Sequence, residues 1–297
     1  MSTGIPYLSA EDVAACGPAP AESIAIAEAA LAAKGAGETA GPRWEMGAHG
    51  SLADAPALSG KDGLATLVSA DGAPLAVMDR ESITTLRIGA TTAVAAKQLA
   101  DPASEVLVVL GCNARGKVVM ESLFEAFPEK ERMLCWDPDV ERQAAFADEI
   151  MTTHNVASII PPDPQEATEG AQILVSCLPV SDEPSPVVEP GWLQTGTLCI
   201  AWDLDAMFTP AVFSHADRVV TDSLAGWNDC QTHGHMEGLD APSSDMAAIA
   251  TGSAPGRGEG EPIILVSGVG EPAVDAALAA DVLARAQAAG KGTPLSS

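Results

Sequence analysis

The apolar run Val106-Leu107-Val108-Val109-Leu110 and the turn Gly111-Cys112-Asn113-Ala114-Arg115-Gly116 constrain this chain more than any other stretch. Five aliphatic residues in succession have the length and branching of a strand buried on both faces, the kind a parallel sheet requires. From Lys117 to Phe127 the apolar residues Val118, Val119, Leu123, Ala126 and Phe127 recur at helix-like spacing. A strand that ends in spaced glycines and opens a helix leaves backbone N–H groups unpaired at the turn, where a pyrophosphate can sit. Asn113 replaces the middle glycine of Gly-x-Gly-x-x-Gly. Asparagine tolerates positive φ, so the turn is expected to survive while the side chain crowds the phosphate.

The alternation continues downstream. Arg132–Trp136 reads as a second strand, ending on Asp137 and followed by a helix from Val140 to about His154. Asp137 stands 26 residues past Gly111, the place of an acid that takes the ribose hydroxyls of an adenosine. A helix cap is the alternative use, and the two are compatible. An anion there disfavours the extra phosphate of NADP, so NAD(H) is expected over NADP(H). Residues 158–160, 172–178, 197–201, 218–222 and 263–266 read as further strands, and Cys177 and Leu178 close one of them. Strands alternating with helices argue for an α/β fold with a doubly wound parallel sheet, in which ligands lie off the carboxyl ends of the strands. Asp203 and Asp205 follow such an end.

The N-terminal third reads differently. Ser9 is placed to cap a short helix, and an Ala-rich helix from Pro20 to Lys34 is closed by Gly35 and Gly37. Between Gly41 and Gly63 the composition turns to Gly, Pro, Ser and Asp, a loop or a set of short strands in which Arg43, His49 and Lys61 are able to hold an anion. Leu64-Ala65-Thr66-Leu67-Val68 and Pro74-Leu75-Ala76-Val77-Met78 flank Asp71-Gly72, a hairpin signal. Residues 79–99 are helical and carry Arg87, whose plain account is a surface ion pair with Glu81 or Asp79. An Ala-rich helix over 273–289 precedes a polar tail.

Charge narrows the partners. Forty-one acidic against fifteen basic side chains give a formal net charge of -26, which repels phosphate backbones and anionic membrane surfaces, so neither nucleic acid nor a membrane is expected. The sequence shows no basic-then-apolar leader and no run of about 18 apolar residues, which points to a cytoplasmic protein. The six cysteines include no Cys-x-x-Cys pair and are expected as reduced thiols packed like small apolar groups. His233-Gly234-His235 lacks a cysteine or a helical histidine partner, so it is expected as a surface loop with no metal.

Several phrases together resemble the ornithine cyclodeaminase and mu-crystallin family. They are Leu75-Ala76-Val77-Met78-Asp79, the helix Ile83-Thr84-Thr85-Leu86-Arg87-Ile88-Gly89-Ala90, the glycine turn, Trp136-Asp137-Pro138-Asp139, Glu189-Pro190-Gly191-Trp192-Leu193, Pro255-Gly256-Arg257, and Val269-Gly270 with Asp275. The likeness covers nearly the whole chain in the family's order. It implies a smaller α+β substrate-binding and dimerisation domain (1–103 and 271–297) around a Rossmann-type NAD(P)-binding domain (104–270), and hence a homodimer. The implied chemistry is hydride transfer at the carbon bearing an amino or imino nitrogen of a small amino acid or its cyclic imine.

By the same resemblance Arg43, Arg87 and Lys61 grip the substrate carboxylate, for which a guanidinium suits because it bonds in bidentate fashion and stays charged. Asp203 matches the family's aspartate as proton donor and acceptor, with capping of the next segment as the plainer role. Gly111, Asn113, Ala114, Arg115, Gly116, Asp137, Cys177 and Leu178 fall to the cofactor. The chain departs from the pattern at Asn113, at Ile88 and Leu178 in place of threonines, after Asp203, and between Pro56 and Leu64, where it is shorter. The activities left open are ornithine cyclodeaminase-like deamination, ketimine reduction or amino-acid dehydrogenation, and non-catalytic binding of a nucleotide or small molecule as in mu-crystallin.

Overall fold

A computed structural model of the chain describes residues 4–38, 41–47, 56–181, 183–260 and 263–295; His49 lies outside them. The strands in chain order are β1 (Ile5–Leu8), β2 (Arg43–Met46), β3 (Leu64–Val68), β4 (Pro74–Asp79), β5 (Val106–Leu110), β6 (Arg132–Trp136), β7 (Ala157–Ile159), β8 (Ile173–Ser176), β9 (Leu198–Ala201), β10 (Arg218–Thr221), β11 (Ser244–Asp245), β12 (Ile264–Ser267) and β13 (Thr293–Leu295). The helices are α1 (Ala10–Cys16), α2 (Pro20–Gly35), α3 (Arg80–Leu99), α4 (Ala114–Ala126), α5 (Val140–His154), α6 (Pro164–Thr168), α7 (Pro210–His215), α8 (Leu224–Thr232), α9 (Met246–Ala250) and α10 (Pro272–Ala288). Two compact units result, Met1–Arg87 with Pro272–Ser297, and Ile88–Glu271.

The larger unit is α/β. Its eight strands lie in the order β11-β10-β12-β9-β8-β5-β6-β7, and every neighbouring pair is parallel. The chain winds outward from β5 through β6 to β7, then returns to the other side of β5 with β8, so the order reverses between β5 and β8. In doubly wound sheets that reversal opens a crevice at the carboxyl ends of the strands. The sequence explains why these strands sit centrally: β8, β9 and β12 are buried at every position, so both faces carry apolar side chains. Val108, Leu174, Cys199 and Leu265 share one core with Phe208, Phe213 and Trp227.

The smaller unit holds a five-stranded sheet in the order β13-β1-β4-β3-β2. The pair β1–β4 is parallel and the others are antiparallel. Alternate residues of the strands, Ala65, Leu67, Ala76 and Met78, join Val13 of α1 and Ala279, Val282 and Ala286 of α10 in one core. Ser9 caps α1 through a reciprocal pair of bonds with Asp12.

Candidate functional site

The glycine turn lies where the strand order reverses. Gly111 has φ +111°, and a Cβ there would stand 2.8 Å from the carbonyl carbon of Cys177 at the exit of β8. A Cβ on Gly116 would stand 2.2 Å from the carbonyl oxygen of Gly111. Both positions therefore demand glycine for close approach, which lets the first turn of α4 come down onto the end of β5.

Asn113 departs from expectation. Its φ is −122°, an extended backbone rather than the positive φ anticipated for a glycine substitute. It caps α4 instead: Oδ1 accepts from the backbone N–H groups of Arg115 at 2.9 Å and Gly116 at 3.1 Å, and Nδ2 donates to the carbonyl of Cys177 at 2.7 Å. Ala114 is exposed and Arg115 is half-buried beside it.

Asp137, at the end of β6, is 1% exposed. Oδ2 accepts from the Cys112 N–H at 2.8 Å and from Arg142 Nε at 3.1 Å, while Oδ1 accepts from the Asp139 N–H at 2.9 Å and from Arg142 Nη2 at 2.6 Å. Burial works to raise its pKa, but the Arg142 guanidinium and the two N–H groups hold the carboxyl below the usual range. The cap of α5 is Asp139, whose carboxylate accepts from Glu141 and Arg142. Asp137 thus binds the glycine turn to α5 rather than capping the helix.

Asp203 follows β9 and is fully buried. Its Oδ1 accepts from Ser176 Oγ at 2.7 Å and its Oδ2 from the Leu178 N–H at 3.2 Å. Burial pushes its pKa up to about 7, against the opposing pull of these donors, and Asp205 adds to the rise. The next residue, Leu204, has φ +59°, a left-handed conformation that a leucine holds only when its surroundings impose it. Asp205 is committed elsewhere, accepting from the Met236 N–H at 2.8 Å with His235 Nδ1 at 3.4 Å. Cys177 is buried, and desolvation pushes its thiol well above the ordinary range, so it is not a nucleophile. Leu178 is half-buried beside it.

The turn, Asp137, the Cys177–Leu178 segment and Asp203 therefore gather at the carboxyl ends of β5, β6, β8 and β9. A carboxyl that titrates near neutrality there is equipped to give and take a proton. Sequence reasoning missed three residues that shape this end of the sheet: Arg142, Ser176 and Asp222. Asp222 follows β10, is fully buried, and accepts from the N–H groups of Val269 at 2.8 Å and Gly270 at 3.0 Å. The signal was present for two of them, since an apolar strand that closes on a small polar or acidic residue, as in Ile173-Leu174-Val175-Ser176 and Val219-Val220-Thr221-Asp222, marks the ligand edge of a parallel sheet.

In the smaller unit Arg87 is 6% exposed, not a surface residue, and its Nε lies 3.0 Å from Asp275 Oδ1 of α10. Lys61 stands over the Tyr7 ring at 5.0 Å and lines a cavity of about 330 Å³ with Arg80, Met46 and Leu64. Arg43 opens β2 at its other end. It is exposed, bonds the Ala70 carbonyl at 3.1 Å, and lies 3.6 Å from Glu45. Three extended steps lead from Arg43 to Met46, about 10 Å along the strand, so Arg43 and Lys61 sit at opposite ends of the hairpin. Among the described residues no cluster of three or more histidine, cysteine or acidic side chains is arranged to hold a metal ion, and no helix is long and apolar enough to cross a membrane.

Comparison with known proteins agrees with this architecture. Residues 35–290 match the model of the ornithine cyclodeaminase/mu-crystallin family. The chain is 28% identical over 232 residues to N-((2S)-2-amino-2-carboxyethyl)-L-glutamate dehydrogenase of Staphylococcus aureus, covering 75% of this chain and 67% of that one. It is 27% identical over 238 residues to a Delta(1)-pyrroline-2-carboxylate reductase of Bacillus cereus, covering 75% and 70%. Among solved structures, Thermococcus litoralis Delta(1)-pyrroline-2-carboxylate reductase in complex with NADH and L-proline superposes with a TM-score of 0.78 at 23% identity, covering 97% of this chain and 99% of that one. At that identity the superposition speaks for the fold.

Proposed function

This chain belongs to the ornithine cyclodeaminase/mu-crystallin family, and from that membership we propose that it is a nicotinamide-dependent oxidoreductase acting at the C–N bond of a small amino acid or its cyclic imine. The observation that supports this best is Asp203, a buried carboxyl with its pKa near 7 at the ligand edge of the sheet. The backbone of the glycine turn fits a dinucleotide, since Gly111 and Gly116 bring the first turn of α4 down onto the end of β5 and the N–H groups at its start, bonded to the Asn113 side chain, face the turn. Gly111, Ala114, Arg115 and Gly116 would line the pyrophosphate, with Asp137 toward the adenosine ribose and Cys177 and Leu178 toward the nicotinamide. When bound, the nicotinamide supplies or accepts the hydride.

The protein's own residues handle the proton and the carboxylate. In the reductive direction protonated Asp203 gives its proton to the nitrogen as the adjacent carbon takes the hydride, and the imine becomes an amine. In the oxidative direction ionised Asp203 accepts a proton from the amine nitrogen as the carbon loses hydride. Ser176 and the Leu178 N–H orient the carboxyl in both. Arg87 and Lys61 are assigned to the substrate carboxylate, Arg87 with its guanidinium plane set by Asp275, while Arg43, exposed beside Glu45 at the other end of the hairpin, takes no part in that grip. NAD(H) is preferred over NADP(H), because the guanidinium beside the adenosine edge, Arg142, is bonded in bidentate fashion to Asp137 and so is not free for a 2′-phosphate. A homodimer and a cytoplasmic setting belong to the same reading.

Purified protein is assayed for NADH and NADPH oxidation with cyclic ketimines such as Δ1-pyrroline-2-carboxylate and with 2-oxo acids plus ammonia, and for NAD-dependent proline formation from ornithine. Turnover in one panel that is lost in Asp203→Asn supports the proposal; silence in all of them at high enzyme concentration refutes it. A second reading, a small-molecule-binding protein without turnover, draws on one observation, the Asn113 side chain bonded to the amides a pyrophosphate would use, which weakens the hold on the cofactor.

A further inference from the structure

Two N–H groups at the start of α4, those of Arg115 and Gly116, point into the turn between β5 and α4, and both are taken by Asn113 Oδ1 at 2.9 and 3.1 Å. The same side chain is tied at its other end, Nδ2 donating to the Cys177 carbonyl at 2.7 Å. Both ends of the amide are thus satisfied, one on the helix that would receive a phosphate and one on the strand exit beside it. Gly111 and Gly116 keep the tight turn and the helix–strand contact of a diphosphate seat, so the seat is built while a neutral acceptor of this chain fills it. A side chain with only one useful end would be an ordinary cap; this one bridges the seat.

Resting on the nicotinamide reading above, we propose that Asn113 is an internal occupant of the pyrophosphate seat, a stand-in for the phosphate that a dinucleotide must displace before it binds. The competition is direct, because an N–H group aligned on Asn113 Oδ1 is not aligned on a phosphate oxygen. It also has a structural cost, since turning Asn113 away breaks its bond to Cys177. The carbonyl so released belongs to the peptide whose N–H, on Leu178, donates to Asp203 at 3.2 Å. One peptide group therefore carries Asn113 at one end and the acid at the other, and loading the seat alters the donor on which Asp203 leans.

The test measures NADH affinity by calorimetry, and the rise in Tm at saturating NADH, for the unaltered protein and three variants. Asn113→Gly removes the occupant at little cost to the cap, and Asn113→Ser keeps a short cap that does not reach Cys177; should one of them fail to fold, the other carries the test. Asn113→Gly is expected to bind NADH on the order of tenfold more tightly, with a larger rise in Tm, because the amides no longer exchange one acceptor for another, and Asn113→Ser, whose hydroxyl still accepts from the amides but has no bond to Cys177 to break, about threefold more tightly. Asn113→Asp keeps the bonds to the amides but adds a negative charge, and binding is expected to weaken by at least about tenfold. Unchanged or weaker affinity in both the glycine and serine variants, or undiminished affinity in the aspartate variant, overturns the proposal. Absence of NADH binding in all four proteins removes the nicotinamide reading itself, and this inference with it.

Discussion

Arg87 Nε and Asp275 Oδ1 lie 3.0 Å apart although 188 positions separate them in the chain. The ion pair is buried on both sides and joins α3 to α10 within the smaller unit. Removing one partner takes a counter-ion from a charge in a dry place. Asp275→Ala is expected to destabilise the smaller unit by about 3 kcal/mol, read as a lower midpoint in urea, whereas Glu45→Ala at the exposed contact with Arg43 changes the midpoint little.

Asp203 governs two pH dependences of opposite consequence. In turnover, with Asp203 as the proposed proton donor and acceptor, imine reduction is expected to fall as pH rises through about 7 and amine oxidation to fall below about 7. Asp203→Asn is expected to lower kcat by about 10²–10⁴ in either direction and to remove that inflection from the profile.

In stability the sign is fixed by the raised pKa. The folded protein holds the proton up to about 7, the unfolded chain only to about 4, so the stability that Asp203 contributes is full below pH 4 and lost as pH climbs to 7. Asp203→Asn cannot ionise. It is therefore expected to be more stable than the unaltered protein at pH 8, by on the order of 4 kcal/mol less the bond from Leu178, and to lose that advantage near pH 4. Urea titrations at the two pH values measure the difference.

Arg142 brings a positive charge to Asp137 at the edge assigned to the adenosine. Arg142→Ala is expected to leave NADH binding within a few-fold and to weaken NADPH binding about tenfold further, because the remaining carboxylate meets a 2′-phosphate uncompensated. Paired calorimetric titrations check it; equal losses for the two nucleotides would count against that placement of the adenosine.

Gly268 lies under the indole of Trp202, where an added Cβ would stand 2.1 Å from ring carbons. The indole cannot slide freely, since its Nε1 donates to Thr92 Oγ1 at 2.7 Å. Gly268→Ala is expected to cost about 1–3 kcal/mol, and Trp202→Phe in the same chain to relieve part of it. Strict additivity of the two substitutions in denaturation would contradict the contact.

Much of the larger unit was legible because its strands satisfy a local rule. Val106–Leu110 and Ile264–Ser267 are buried on both faces, so the apolar run is itself the signal. In the smaller unit β1, β2 and β13 are three or four residues long, and Pro6 and Pro294 face each other in one pair. β1 finds its partner β13 at the far end of the chain, a pairing that no local pattern announces. At the site, Asp203 and Asp137 were legible from their places after strands. The partners were not: Arg142 reads as one more charge on an exposed helix, and the bridging role of Asn113 depends on Cys177, 64 residues on. Arg87 looked like half of a surface pair because its counter-ion lies on the last helix.

That last helix bears on how the molecule comes into being. The smaller unit takes β1 to β4 from the beginning of the chain, but its core is closed by Ala279, Val282 and Ala286 of α10, and its edge by β13 on β1. During synthesis the early strands thus leave the ribosome without their cover, and all of residues 88–271 must follow before α10 arrives. The parallel sheet, contiguous in sequence, is free to form first. The nascent chain therefore matures from its middle outward, and its first residues are among the last to find their partners.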